Sequence, residues 1–89
     1  MTYIVIDGSA IRDREGLHAL LAERLSLPEH YGRNLDALHD CLTDKRDVTV
    51  FLRNAGAMTA ALGGYGEAAL RVFRDAAAEN PRFGFEVIG

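Results

Sequence analysis

Leu27-Pro28-Glu29-His30-Tyr31-Gly32-Arg33-Asn34-Leu35-Asp36-Ala37-Leu38-His39-Asp40-Cys41-Leu42-Thr43 is the stretch on which the reading of this chain turns. Pro28 and Gly32 punctuate an irregular loop. Asn34 closes it and opens a short helix, because its side-chain oxygen can accept a free backbone N–H of the first turn. From Asn34 onward the residues separate onto two faces at about 100° per residue. Leu35, Leu38, Cys41 and Leu42 fall on one face and are expected to pack inward. Asp36, His39, Asp40 and Thr43 fall on the other, at spacings of three, four and seven. A rigid helix presenting two carboxylates, fed by a polar loop, can be offered to something positively charged.

Outward from this stretch, short apolar runs alternate with helical patterns. Tyr3-Ile4-Val5-Ile6, ended by Asp7-Gly8, reads as a buried strand closed by a turn. Asp13 is placed to cap a helix running to about Leu25, with Leu17, Leu20, Leu21 and Leu25 on one stripe. Asp47 leads into a second strand, Val48-Thr49-Val50-Phe51-Leu52. Asn54 is expected to cap a helix through Ala55–Leu62, which Gly63 and Gly64 break. A last helix runs from about Tyr65 to Glu79, burying Ala69, Leu70, Phe73, Ala76 and Ala77, and Asn80-Pro81 stops it. Phe83-Gly84-Phe85-Glu86-Val87-Ile88 is a third strand. The order β-α-α-β-α-α-β implies right-handed crossovers and an α/β fold with a parallel sheet. With only three strands, the helices are expected to cover one face of that sheet.

Size and composition set further bounds. The 89 residues are read as a single domain, residues 1–89, with one small core. At 48% hydrophobic and 26% charged residues, the chain has the composition of an ordinary globular protein. No apolar run approaches the roughly 20 residues that span a membrane. Met1-Thr2-Tyr3-Ile4 has neither a basic segment nor a cleavage site of a secretion signal. One cysteine, Cys41, cannot form an internal disulfide, which fits a reducing cytoplasm. A net charge of −3 argues against nucleic acid as the partner and for a basic one.

The segment Leu27–Thr43 closely resembles the matching stretch of the barstar family of intracellular ribonuclease inhibitors. The shared pattern is Leu-Pro-Glu-x-Tyr-Gly-x-Asn-Leu-Asp-Ala-Leu-x-Asp-Cys-Leu-Thr, without a gap. Val5-Ile6-Asp7-Gly8 with Ile11-Arg12 and Leu17-His18 carries the resemblance toward the N-terminus. Glu67-Ala68-Ala69-Leu70-Arg71-Val72-Phe73-Arg74-Asp75-Ala76 extends it into the last helix. The stretch between Val50 and Gly66 is shortened and altered. The resemblance implies a three-stranded parallel sheet with four helices. It also implies a one-to-one complex with a secreted, guanyl-specific microbial ribonuclease. In that complex Asp40 would take the place of a substrate phosphate and Asp36 would meet a second basic group. Gly32 and Asn34 would shape the loop, His30, His39, Thr43 and Lys45 would form surrounding contacts, and Glu67 an outlying one. The chain departs from the family where His30 replaces a tyrosine, His39 and Lys45 replace aromatics, and Asp44 replaces a glycine.

His18, His30 and His39 lie on a helix, a loop and another helix, and supply no set of three or four metal ligands. Cys41 on an apolar face is a small buried hydrophobe rather than a nucleophile. Gly64-Tyr65-Gly66-Glu67-Ala68-Ala69 spells GxGxxA. A helix rather than a strand precedes it, and Glu67 would repel a pyrophosphate at the helix start. A small enzyme built on Asp36, His39 and Asp40 lacks a substrate cleft on a convex helix. The expectation is a protein without enzymatic activity, cofactor, metal or membrane association. The rival reading is a module that uses the same acidic face for a different basic protein.

Overall fold

β-Branched and aromatic side chains predominate in the three strands. The computed structural model describes residues Met1 to Gly89. β1 is Thr2–Asp7, followed by a 3-10 turn at Gly8–Ala10, α1 at Arg14–Arg24 and α2 at Leu35–Thr43. β2 is Val48–Arg53, α3 Ala55–Leu62, α4 Gly64–Glu79 and β3 Phe83–Ile88. The sheet is parallel throughout with order β1-β2-β3. Ile6 lies beside Leu52 and Val50 beside Phe85. Side chains alternate across the sheet, and Ile6, Val50, Leu52 and Phe83 are buried on one face. The helices meet them there: Leu17, Leu21, Leu38, Leu42, Ala69, Leu70, Phe73 and Ala76 join the same core cluster. On the other face Tyr3 and Val5 are exposed, and the Tyr3 ring stacks on Phe51 at 5.9 Å. The helices therefore cover one face, as the strand count implied. No helix is long and apolar enough to cross a membrane.

Asp13 caps α1 by accepting the Gly16 N–H at 2.6 Å. Asn54 does not cap α3. It takes a left-handed conformation (φ 53°) with no side-chain cap bond, and its amide instead donates to Asp7 Oδ1 at 2.9 Å. Asparagine tolerates that backbone region better than most residues, so the same residue type that signals a cap also serves a turn. The bond from Asn54, followed by those from Ser9, holds the Asp7 carboxyl down to about 2. Gly8 is required here, because a Cβ at this position would lie 2.5 Å from the Asn54 carbonyl oxygen.

His18 is 2% exposed and bridges three parts of the fold. Its Nδ1 lies 2.5 Å from the Tyr31 hydroxyl and its Nε2 2.6 Å from the Tyr65 hydroxyl. A neutral imidazole serves both, with one nitrogen donating and the other accepting. Tyr65 in turn carries the Arg14 guanidinium over its ring at 4.3 Å. The arrangement ties α1 to α4 and to the loop that precedes α2.

The other end of α2 is fastened by Asn80, the residue after α4. Its Nδ2 lies 3.1 Å from the carbonyl oxygens of Leu42 and Thr43 and 2.8 Å from that of Lys45. The Thr43 and Lys45 carbonyls have no backbone donor at this helix C-terminus, whereas the Leu42 carbonyl also accepts the Lys45 N–H at 3.2 Å. The Lys45 ammonium donates to the Leu25 carbonyl at 2.5 Å, linking the same segment to the end of α1.

Two outcomes follow from these ties. Burial, and then the charge of Arg33, depress the His18 pKa below its ordinary value. The unfolded chain therefore binds the proton more tightly. The stabilisation is fully present above about pH 6.5 and is lost as pH falls below it. Melting curves across this range should show a drop in Tm toward acid that is smaller in His18→Gln; equal drops would remove His18 as the cause. Asn80→Ala should lower the unfolding free energy in urea by about 1–3 kcal/mol, because the Thr43 and Lys45 carbonyls lose their donor. An unchanged urea midpoint would show that the clamp carries no weight.

Candidate functional site

The site is built on α2. Leu38 and Leu42 have 0% exposure, which fixes the rotation of the helix about its axis. Leu35, on the same stripe, is partly buried. The opposite stripe turns outward. Asp36 is exposed and forms no hydrogen bond or ion pair, and the Asp40 side chain is 87% exposed. The N-terminus of α2 carries the Asn34 cap, whose Oδ1 accepts the Ala37 N–H at 2.7 Å. The Asn34 amide donates back to the Gly32 carbonyl at 3.2 Å. A Cβ at Gly32 would sit 3.1 Å from Asn34 Nδ2 and 3.4 Å from Ala37 Cβ, so the Asn34 amide would have to shift by a few tenths of an ångström to admit it. Arg33, between them, is left-handed (φ 52°). Asp36 sits in the first turn, where the helix dipole favours negative charge.

Loop and helix enclose a shallow cleft of about 280 Å³, lined by His30, Tyr31, Gly32, Asp40, Cys41 and Asp44 among others. Its floor explains the one change needed on the apolar stripe. Cys41 is half-buried: it packs against the core cluster and also forms part of the cleft wall. Burial nevertheless pushes its thiol pKa up, with Lys45 opposing and Asp40 and Asp44 adding to the rise. The neutral thiol is the unreactive form. Tyr31 is buried, and its phenol is held far above the ordinary range by desolvation first.

The remaining predicted residues are placed as follows. His39 reaches across to α4, where its Nε2 bonds the Glu79 carboxylate, while its Nδ1 lies 4.0 Å from Asp40 Oδ1. Thr43 is partly buried, and its hydroxyl donates to the Asp40 carbonyl at 2.9 Å. Lys45 is turned toward Leu25 rather than standing free. His30 is exposed at the cleft. Glu67 lies in the first turn of α4, exposed and without a hydrogen bond or ion pair. It is twelve residues from Glu79, about 18 Å along the helix, so it is not part of the His39 contact. Asp36, His39, Asp40 and Glu79 thus make one acidic surface with His30 beside it, and Glu67 is remote from it. No group of three or more His, Cys, Asp or Glu side chains could hold a metal ion.

Sequence reasoning missed Glu79 and Asn80 as parts of this surface and its support. Glu79 reads as an ordinary helix-end acid, and Asn80 before Pro81 reads as a terminator. Only the packing of α4 beside α2 gives them partners. The signal for the buried setting of His18, which is no metal ligand, is its place beside Leu17 and before Leu21 on an otherwise apolar stripe.

The comparisons with known proteins agree with this architecture. Over 81 residues the chain is 42% identical to the Bacillus subtilis (strain 168) protein named "Putative ribonuclease inhibitor YrdF", a match that covers 89% of each chain. Residues 1–88, from the start of β1 to the end of β3, match the family described as Barstar (barnase inhibitor), and the chain belongs to that family.

Proposed function

We propose that this protein is an intracellular inhibitor of a small, secreted, guanyl-specific microbial ribonuclease related to barnase. It would act as a one-to-one plug of the active site and perform no chemistry of its own. The observation that carries the reading is the outward display of Asp36 and Asp40 on a rigid α2 in a chain of the barstar family. A ribonuclease active site is basic because it stabilises phosphate charge in the transition state. Arginine forks accept carboxylate and phosphate alike, so Asp40 can stand where a phosphate would. Asp36 would meet a second basic group one turn away. His30, His39, Thr43 and Lys45 would line the contact, Asn34 and Gly32 would hold the loop in shape, and Glu67 would touch the partner at its edge. Such a complex should bury about 1,600 Å² in total. No cofactor, metal, nucleic acid or membrane enters the mechanism. The fit of an acidic surface to a basic site also speeds encounter.

The test is inhibition of RNA cleavage by a panel of small guanyl-specific ribonucleases, run with Asp40→Ala, Asp36→Ala and Glu67→Ala. Asp40→Ala should weaken binding most, by about 2–5 kcal/mol, because it leaves a desolvated cation unpaired. Asp36→Ala should cost less and Glu67→Ala least. Melting temperatures of all three should stay near that of the parent, since none of these side chains enters the core. A sharp loss of Tm in Asp40→Ala with unchanged inhibition would make Asp40 structural and defeat the plug. No inhibition across the panel would turn the face over to a different basic protein.

A further inference from the structure

Asp40 has the His39 ring beside it and shares its cleft with His30. His39 Nε2 is bonded to Glu79 of α4, and its Nδ1 faces Asp40 at 4.0 Å. His30, from the loop, lines the same cleft as Asp40 and Asp44. The charged groups in contact with His39 are Asp40 on α2 and Glu79 on α4, while Lys45, Arg46 and Arg82 line the neighbouring groove with Thr43 and Asn80. None of these carboxylates pairs with Lys or Arg, and the Lys45 ammonium is occupied by the Leu25 carbonyl. A neutral His39 uses its Nε2–H for Glu79 and leaves a bare Nδ1 toward Asp40, so the aspartate keeps its full charge for a partner. A protonated His39 puts a cation between Asp40 and Glu79, where it competes with an incoming guanidinium for both. Protonating His30 as well would cancel half the charge of Asp36, Asp40, Asp44 and Glu79 taken together. Histidine is the side chain that changes charge between about pH 5 and 8.

We infer that His39, assisted by His30, makes the acidic face a proton-linked gate, open to a cationic partner when the imidazoles are neutral and closed when they are protonated. The inference rests on the reading of this face as a docking surface for a basic protein. By linkage, a bound cation must expel protons from the same two rings. The gate would set a specificity: partners met in neutral surroundings are held and those met in acid are released.

The probe is a hexa-arginine peptide, which has no titrating group of its own in this range, bound to the full ¹⁵N-labelled chain at low salt at about pH 6 and pH 8. The dissociation constant should be about tenfold weaker at the lower pH, roughly threefold for each imidazole. His39→Gln retains a donor for Glu79 and should reduce the ratio to about threefold. The double variant His30→Gln/His39→Gln should bring it near one. Equal binding at both pH values, no binding at either, or a double variant that keeps the ratio would overturn the gate. Ribonuclease inhibition at pH 8 is measured in parallel. A pH-dependent peptide interaction without inhibition leaves the gate standing and defeats the ribonuclease reading. Inhibition with pH-independent peptide binding defeats the gate alone.

Discussion

The complete burial of Leu38 and Leu42 is the constraint from which the acidic face follows. α2 has nine residues, too few to be stable by itself. It persists because its apolar stripe closes the core against the sheet and α4. Once that stripe is fixed, helical geometry leaves Asp36 and Asp40 no direction but outward. Two asparagines then hold the ends: Asn34 through the Ala37 N–H and Asn80 through the carbonyls of Leu42, Thr43 and Lys45. A surface meant to meet a partner without rearranging gains from such fixing, because less side-chain and backbone freedom is left to lose on binding.

The loop before α2 is held by a different means. Tyr31 places its ring in the core and its hydroxyl on the buried His18, so the approach to Gly32 is anchored from beneath. Site and core therefore share residues, and the stability of one is not separable from the shape of the other. The same economy governs the departures from the family pattern. Lys45 would oppose an acidic face if it stood free, yet its ammonium is engaged at the end of α1. His39 gives up the area of an aromatic anchor but gains a bond to α4.

What could be read from the sequence was what is locally encoded. The strands, the caps at Asp13 and Asn34 and the stop at Asn80-Pro81 depend on neighbours a few residues away, and all appear where the pattern put them. The outward position of Asp36 and Asp40 was legible because a strong helical period separates them from Leu38 and Leu42. Asn54 was misread because asparagine serves both caps and left-handed turns, and the choice was made by Asp7, 47 residues earlier. The same holds for His39 with Glu79 and Asn80 with the end of α2, pairs separated by 35 to 40 residues. Cys41 lies at the boundary of the apolar stripe, where the loop's path decides whether it faces core or cleft.

The proposed role of Asp40 is to take a phosphate position in a ribonuclease active site. Competition with a guanosine mononucleotide for an inhibited ribonuclease decides whether it does so. The apparent affinity of this protein should fall in proportion to the fraction of enzyme that holds nucleotide, as mutually exclusive ligands require. An affinity unchanged by saturating nucleotide would place the contact outside the active site and rule out phosphate mimicry by Asp40.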